Sequence, residues 1–226
     1  MAYDTNALYN ALAWVIENDR LVYHKARANR KLVNAPAFNT LPLVTCAECC
    51  MGTCGADGCY ALKNALCHGY NVEKNTCLRA WAENTAMVIY KTAEYFENVR
   101  KDVARFEKKC ARRGLECFVR VHASGDFYSK KVFNEWLQVA REFPAVHFMA
   151  FTKQFTFIHG AEVPANFSLI LSAWEGMEIP ADLTARFPVA YVDAGENCVE
   201  CCGSCENCKA CWMLQTLNKN VRFHKH

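Results

Sequence analysis

Eleven of the fifteen cysteines in this 226-residue chain fall in two short windows. The first holds Cys46, Cys49, Cys50, Cys54 and Cys59; the second holds Cys198, Cys201, Cys202, Cys205, Cys208 and Cys211. Thiolates gathered in this way are metal ligands or disulfide partners. An odd count, with no secretory segment at the start of the chain, fits poorly with a closed set of disulfides. The expected chemistry is therefore metal–thiolate bonding.

In the second window Cys202, Cys205, Cys208 and Cys211 recur at equal intervals, a ladder that resembles the C-x₂-C-x₂-C run of ferredoxins. No C-x₃-C-P follows, so Cys198 is taken as the fourth ligand beside Cys205, Cys208 and Cys211, with Cys201 and Cys202 left open. Structural zinc more often uses two C-x₂-C pairs separated by a long knuckle, which an unbroken ladder matches less well. In the first window Cys46, Cys50, Cys54 and Cys59 stand at intervals of four, four and five, with Cys49 an available substitute for Cys50. Gly52, Gly55 and Gly58 give that loop backbone freedom to wrap a small inorganic core. Cys67, Cys77, Cys110 and Cys117 sit singly in helix or strand patterns and are expected in the core. His122 and His147 flank predicted strands and are expected to play hydrogen-bonded structural roles.

The elements that must position these groups read as α/β. A helix is expected over 5–31, then an extended lead into the first cysteine loop, a short helix over 60–68 and a long helical stretch over 78–113, broken once. Its apolar stripe is Ile89, Ala93, Phe96, Val99, Val103, Phe106 and Cys110. Four short apolar runs follow, Cys117–Val121, Val146–Phe151, Ser168–Ala173 and Val189–Val192, separated by helical or turn-rich segments. Between the first two lies an amphipathic helix with Val132, Phe133, Trp136, Leu137, Ala140 and Phe143 on one face. Such alternation predicts a parallel sheet covered on its faces, read as an incomplete (β/α) barrel. The barrel is expected over 1–197, with a cysteine-rich module over 198–226 appended to the same domain.

Ser124, Gly125 and Asp126 follow the first clear strand and so stand at its carboxyl edge, where ligands bind in barrel folds. Ser-Gly-Asp also makes a turn, and Asp126 or Ser129 can cap the next helix. Phe127, Tyr128 and Trp174 near strand ends are candidates to line a pocket.

The segments KLVN, LPLVTC, CYALK, RVHASGDF, FMAFTK and the tail ending CKACW resemble the phage gene product 88 family, in this order, over residues 31–212. The most specific parts are Cys59–Ala61, His122–Phe127 and the C-x₂-C-W at Cys208–Trp212. This resemblance implies cluster binding and names no reaction. The order also resembles radical S-adenosylmethionine enzymes, whose glycine-rich segment holds the methionine moiety. By that likeness Ser124, Gly125 and Asp126 would bind the cofactor, although the first loop lacks the C-x₃-C-x₂-C spacing of that family.

Two functions follow. One is a radical enzyme whose first-loop cluster reduces S-adenosylmethionine. The other is a non-enzymatic protein whose two 4Fe-4S clusters pass electrons to a redox partner protein. A zinc-stapled binding module is the third reading. The formal net charge of +3, with basic residues gathered at Lys25, Arg27, Arg30 and Lys31 and over 222–226, gives no nucleic-acid footprint. No apolar run approaches the roughly 18 to 20 residues of a membrane span, so a cytoplasmic protein is expected.

Overall fold

The computed structural model describes residues 4–26, 35–47, 59–173 and 177–224. Its contacts divide into two compact units, Met1–Ala26 with Phe38–Asp102 and His122–Glu135, and Arg27–Ala37 with Val103–Val121 and Trp136–His226.

In the first unit, α1 (Asn6–Glu17) buries Ala7, Leu8, Ala11 and Val15 at three- and four-residue spacing and packs on α3 (Thr76–Tyr90). The expectation of helix to residue 31 is not met. Asp19 turns left-handed at φ 49°, and the Arg20 N–H donates back to the Val15 carbonyl, which closes the last turn. From Arg20 the chain is held by side chains instead. Arg20 Nε donates to Glu83 Oε1 at 2.6 Å, the His24 ring meets Glu83 Oε2, and Tyr23 donates to Asp102 Oδ2 at 2.8 Å. Glu83 is fully buried, so removing its partners would strand a charge in the interior.

Helix α2 (Tyr60–Leu66) leads to Asn75, a residue with no exposed surface. Its Oδ1 accepts from the Leu78 N–H and caps α3, while its Nδ2 donates to the Ala65 and Gly69 carbonyls at 2.7 and 2.8 Å. The expected single break falls at Lys91, between α3 and α4 (Thr92–Ala111). Phe96, Val99, Val103 and Cys110 are buried on α4 as expected. Tyr95 is buried too, whereas Ala93 is exposed and Ile89 and Phe106 are half-buried.

A seven-stranded open sheet runs in the order β1-β2-β3-β4-β5-β7-β6. The strands are β1 (Ala37–Phe38), β2 (Cys117–Val121), β3 (Val146–Thr152), β4 (Phe167–Ser172), β5 (Val189–Val192), β6 (Cys198–Glu200) and β7 (Asn220–Phe223). The pairs from β2 to β5, β5 with β7, and β6 with β7 are all parallel. The connections carry α5 (Lys130–Glu142), α6 (Phe155–Ile158) and α7 (Ala181–Thr184). Leu169, Ile170 and Leu171 have no exposed surface, and burial of three such side chains is worth about 5 to 9 kcal/mol. A continuous apolar run of this kind suits a strand covered on both faces.

The cysteine tail is built differently from the expected appendage. Cys198–Glu200 is a strand of the sheet, α8 (Cys205–Cys208) and α9 (Ala210–Leu217) form a crossover, and β7 then inserts between β5 and β6. A strand whose edges are both paired cannot be detached as a separate module.

Candidate functional site

Two regions carry chemistry, one in each compact unit. In the first unit the chain leaving β1 wraps the loop that follows β2. The Thr40 N–H donates to the Ser124 carbonyl at 3.2 Å, and Ser124 Oγ donates to the Thr40 carbonyl at 3.1 Å. The Asp126 N–H donates to Thr45 Oγ1 at 3.0 Å, which itself donates to the Leu41 carbonyl. Gly125 stands at φ +80°, and a Cβ there would lie 2.1 Å from Thr40 Oγ1 and 2.5 Å from Thr45 Oγ1, so only glycine fits.

Both described ends of the first cysteine loop reach this turn. Cys46 follows Thr45 directly. Tyr60, next to Cys59, donates its phenol to the Ala123 carbonyl at 2.5 Å. Cys46 and Cys59 are half-buried, and the Leu43 N–H donates to Cys46 Sγ at 3.3 Å. Cys49, Cys50, Cys54 and the loop glycines lie outside the described residues, as do Trp174 and the basic residues Arg27, Arg30 and Lys31.

Ser124 and Asp126 are 3% and 5% exposed, and Asp126 Oδ1 accepts from the Phe127 N–H at 2.8 Å. Capping of α5 falls to Ser129, whose Oγ accepts from the Val132 N–H. His122 is buried at φ 58°, an uncommon backbone for a residue with a side chain. Burial pushes its pKa down to about 3, against a smaller opposing effect of the Phe38 carbonyl, so it is neutral at physiological pH. Phe127 packs edge-on against His122 and Phe133, while Tyr128 is exposed.

In the second unit the crossover between β6 and β7 forms a small hollow of about 20 Å³. Cys201, Cys202, Cys205, Cys208 and Cys211 all line it, together with Trp212. The one-turn α8 puts Cys205 and Cys208 on one side; Lys209 then turns left-handed at φ 50° and starts α9 with Cys211 in its first turn. Trp212 fastens α9 by donating from Nε1 to the Val119 carbonyl at 2.9 Å and by meeting the Phe118 ring edge-on. Burial pushes the Cys211 thiol up to about 12, with Cys205, Cys201 and Cys208 adding to the rise and Arg120 opposing it. Cys205 is raised by burial and by Cys201, Cys208 and Cys202, again against Arg120. Burial also raises Cys208, and the Ala210 N–H at its sulfur opposes this.

Cys198 does not line the hollow; its thiol donates to the Glu196 carbonyl at 3.3 Å. Sequence reasoning left Cys201 and Cys202 open, and both line the hollow; the spacing from Cys201 to Cys205 to Cys208 is itself C-x₃-C-x₂-C. Among the described residues no group of three or more His, Cys, Asp or Glu side chains is arranged to hold a metal ion. The donor set suits soft metals: five sulfurs on one hollow with a guanidinium nearby.

The other thiols divide. Cys110 and Cys117 are buried as expected, with burial and then the neighbouring Cys110 raising Cys117. Cys67 is exposed, contrary to expectation, and Cys77 is half-buried with its pKa pushed up to about 11 by burial and by Cys67. His147 stacks on Phe118, a packing role. Arg222 is engaged by Glu200, its Nε donating at 2.7 Å. No described helix is long and apolar enough to cross a membrane.

This is an α/β protein with an open parallel sheet and a thiol-lined crossover at one end. The sequence profile of the Gene product 88 family matches residues 16–225, and the chain belongs to that family. It is 31% identical over 96 residues to the Gene 88 protein of Mycobacterium phage D29 and 36% identical over 96 residues to that of Mycobacterium phage L5. Each match covers 40% of this chain and 40% of the relative's length. No solved structure matches.

Proposed function

We propose that this chain is an iron–sulfur protein with one cluster on the loop from Cys46 to Cys59 and a second in the crossover after β6. The carrying observation is that both described ends of the first cysteine loop bond the Ala123–Asp126 turn. Thr45 beside Cys46 and Tyr60 beside Cys59 both bond that turn, so both described ends of the loop meet a glycine turn at the carboxyl edge of a parallel strand. That is the arrangement a radical S-adenosylmethionine-like enzyme requires. The sheet order supports an incomplete barrel: from β1 to β5 spatial order follows chain order, as in a barrel wall, whereas a doubly wound sheet reverses direction midway.

Cys46, Cys50, Cys54 and Cys59 are the candidate ligands of the first cluster. Such a cluster would supply a one-electron reductant. The backbone of Gly125 and the Asp126 carboxylate would orient the amino group of S-adenosylmethionine, and neutral His122 would keep the floor of the turn free of positive charge. The crossover favours a second reading for its own cluster, electron relay to a redox partner protein, because its thiol supply exceeds the four needed to close a cluster.

The test is electron paramagnetic resonance of the reduced protein with and without S-adenosylmethionine. A shifted cluster signal that disappears in Asp126→Ala at unchanged iron content supports the radical-enzyme reading. An unchanged wild-type spectrum removes it and leaves electron transfer.

A further inference from the structure

Successive residues of a strand point to opposite faces, and the parallel register of the second unit sorts its strands into two unlike faces. On one, Val119, Val121, Phe148, Ala150, Leu169 and Leu171 have no exposed surface. On the other, only the amino-terminal half is closed: α9 packs there, with Trp212 against Phe118, and Met149, Ile170 and Val221 are buried. The carboxyl-terminal half stays partly open. Arg120, Phe151, Lys153, Ser172 and Phe223 are half-buried, and Val192 is 40% exposed.

The two cations of this patch are held in place. Lys153 Nζ donates to Ser172 Oγ at 2.9 Å, across the β3–β4 pair, which fixes the ammonium against the strand ends. The Arg120 guanidinium lies 5.4 Å from the centre of the Phe151 ring, and Phe151 meets the Phe223 ring edge-on at 5.7 Å. Among the described residues this face carries no acidic side chain on β2 to β5 or on β7. Charge complementarity therefore favours an anion, and the carboxyl edge of parallel strands is where such sheets bind ligands. The rings beside the cations suit a ligand with an apolar body.

We propose that this half-open face binds a small anionic ligand, a carboxylate or phosphate group on an apolar or aromatic body. Lys153 and Arg120 hold the anion, and Phe151 and Phe223 pack against the body. Ser172 is a positioning residue that fixes the Lys153 ammonium. None of these residues is a candidate cluster ligand, so the site needs no metal and stands apart from the iron–sulfur reading.

The test is lysine acetylation of the full chain by an amine-reactive ester, with the rate at each lysine read by mass spectrometry. It is run alone and with phenyl phosphate, phenylacetate or benzyl alcohol as the probe. Lys153 is expected to react at least about fivefold more slowly once one of the two anions stands well above its dissociation constant, and the better protector names the head group. Exposed Lys74 should be unaffected, and uncharged benzyl alcohol should protect neither. Arg120→Gln is expected to remove most of the protection and Arg120→Lys to keep part of it. Ser172→Ala, which leaves both cations, should raise the anion concentration for half-protection about threefold to tenfold. A Lys153 that reacts equally with and without both anions overturns the site, as does equal protection by benzyl alcohol. The wild-type result stands even if a variant fails to fold, and iron content changes none of these outcomes.

Discussion

His122 and Gly125 show how far single residues in the first site are committed to shape. The His122 ring is sealed from solvent, and burial holds its pKa at about 3, below the roughly 6.5 of an unfolded chain. Between those values the unfolded chain binds the additional proton, so this residue's contribution to stability is complete above about pH 6.5. It is lost as pH falls, at up to about 1.4 kcal/mol per pH unit. His122→Asn keeps a residue type that tolerates positive φ and removes the titration. Urea midpoints measured from pH 7 to pH 4 should therefore fall less steeply in the variant than in wild type. Gly125→Ala forces a methyl into Thr40 and Thr45 at a strained φ, with an expected loss of about 2 kcal/mol or more in chemical denaturation. Neither commitment was legible beforehand. Ser-Gly-Asp reads as a turn in the sequence, but nothing in the sequence says that Thr40 and Thr45, about 80 residues earlier, are the groups it packs against.

At the level of elements, legibility followed burial. Strands β2 to β5 are apolar through most of their length and were located to within a residue or two, because a strand covered on both faces needs an uninterrupted apolar run. Strands β6 and β7 read CVE and NVRF, are short and largely half-buried, and are held by their place at the end of the sheet, so no periodicity announced them. The overlong first helix has a similar cause: the residues after Glu17 are compatible with helix, and the remote Glu83, Asn84 and Asp102 side chains that hold them in a non-helical course are not announced by local sequence. Helix α9 is fixed to the sheet by Trp212. Trp212→Phe keeps the packing on Phe118 and removes the donor to the Val119 carbonyl, which should cost about 1 to 3 kcal/mol in thermal unfolding. An unchanged melting temperature would mean that α9 is held by its apolar face alone.

For the molecule as a whole, the sequence showed which residue types gather more readily than how the fold arranges them. Two windows of thiols, a parallel sheet and a glycine turn at a strand edge were all readable from residue type and spacing. The arrangement of the second window was not, because spacing singled out Cys198, whereas the fold sets Cys201, Cys202, Cys205, Cys208 and Cys211 around one hollow and leaves Cys198 outside it. On the iron–sulfur proposal, ligands on a segment between two paired strands should make the stripped protein measurably less stable than the loaded one. The central claim is that these sulfurs hold iron and sulfide. It is tested by quantifying iron, acid-labile sulfide and zinc in chain purified without oxygen. The account predicts a brown protein with iron and sulfide in equal amounts, about eight of each per chain for two clusters. A colourless protein that carries zinc alone, or no metal, would contradict it.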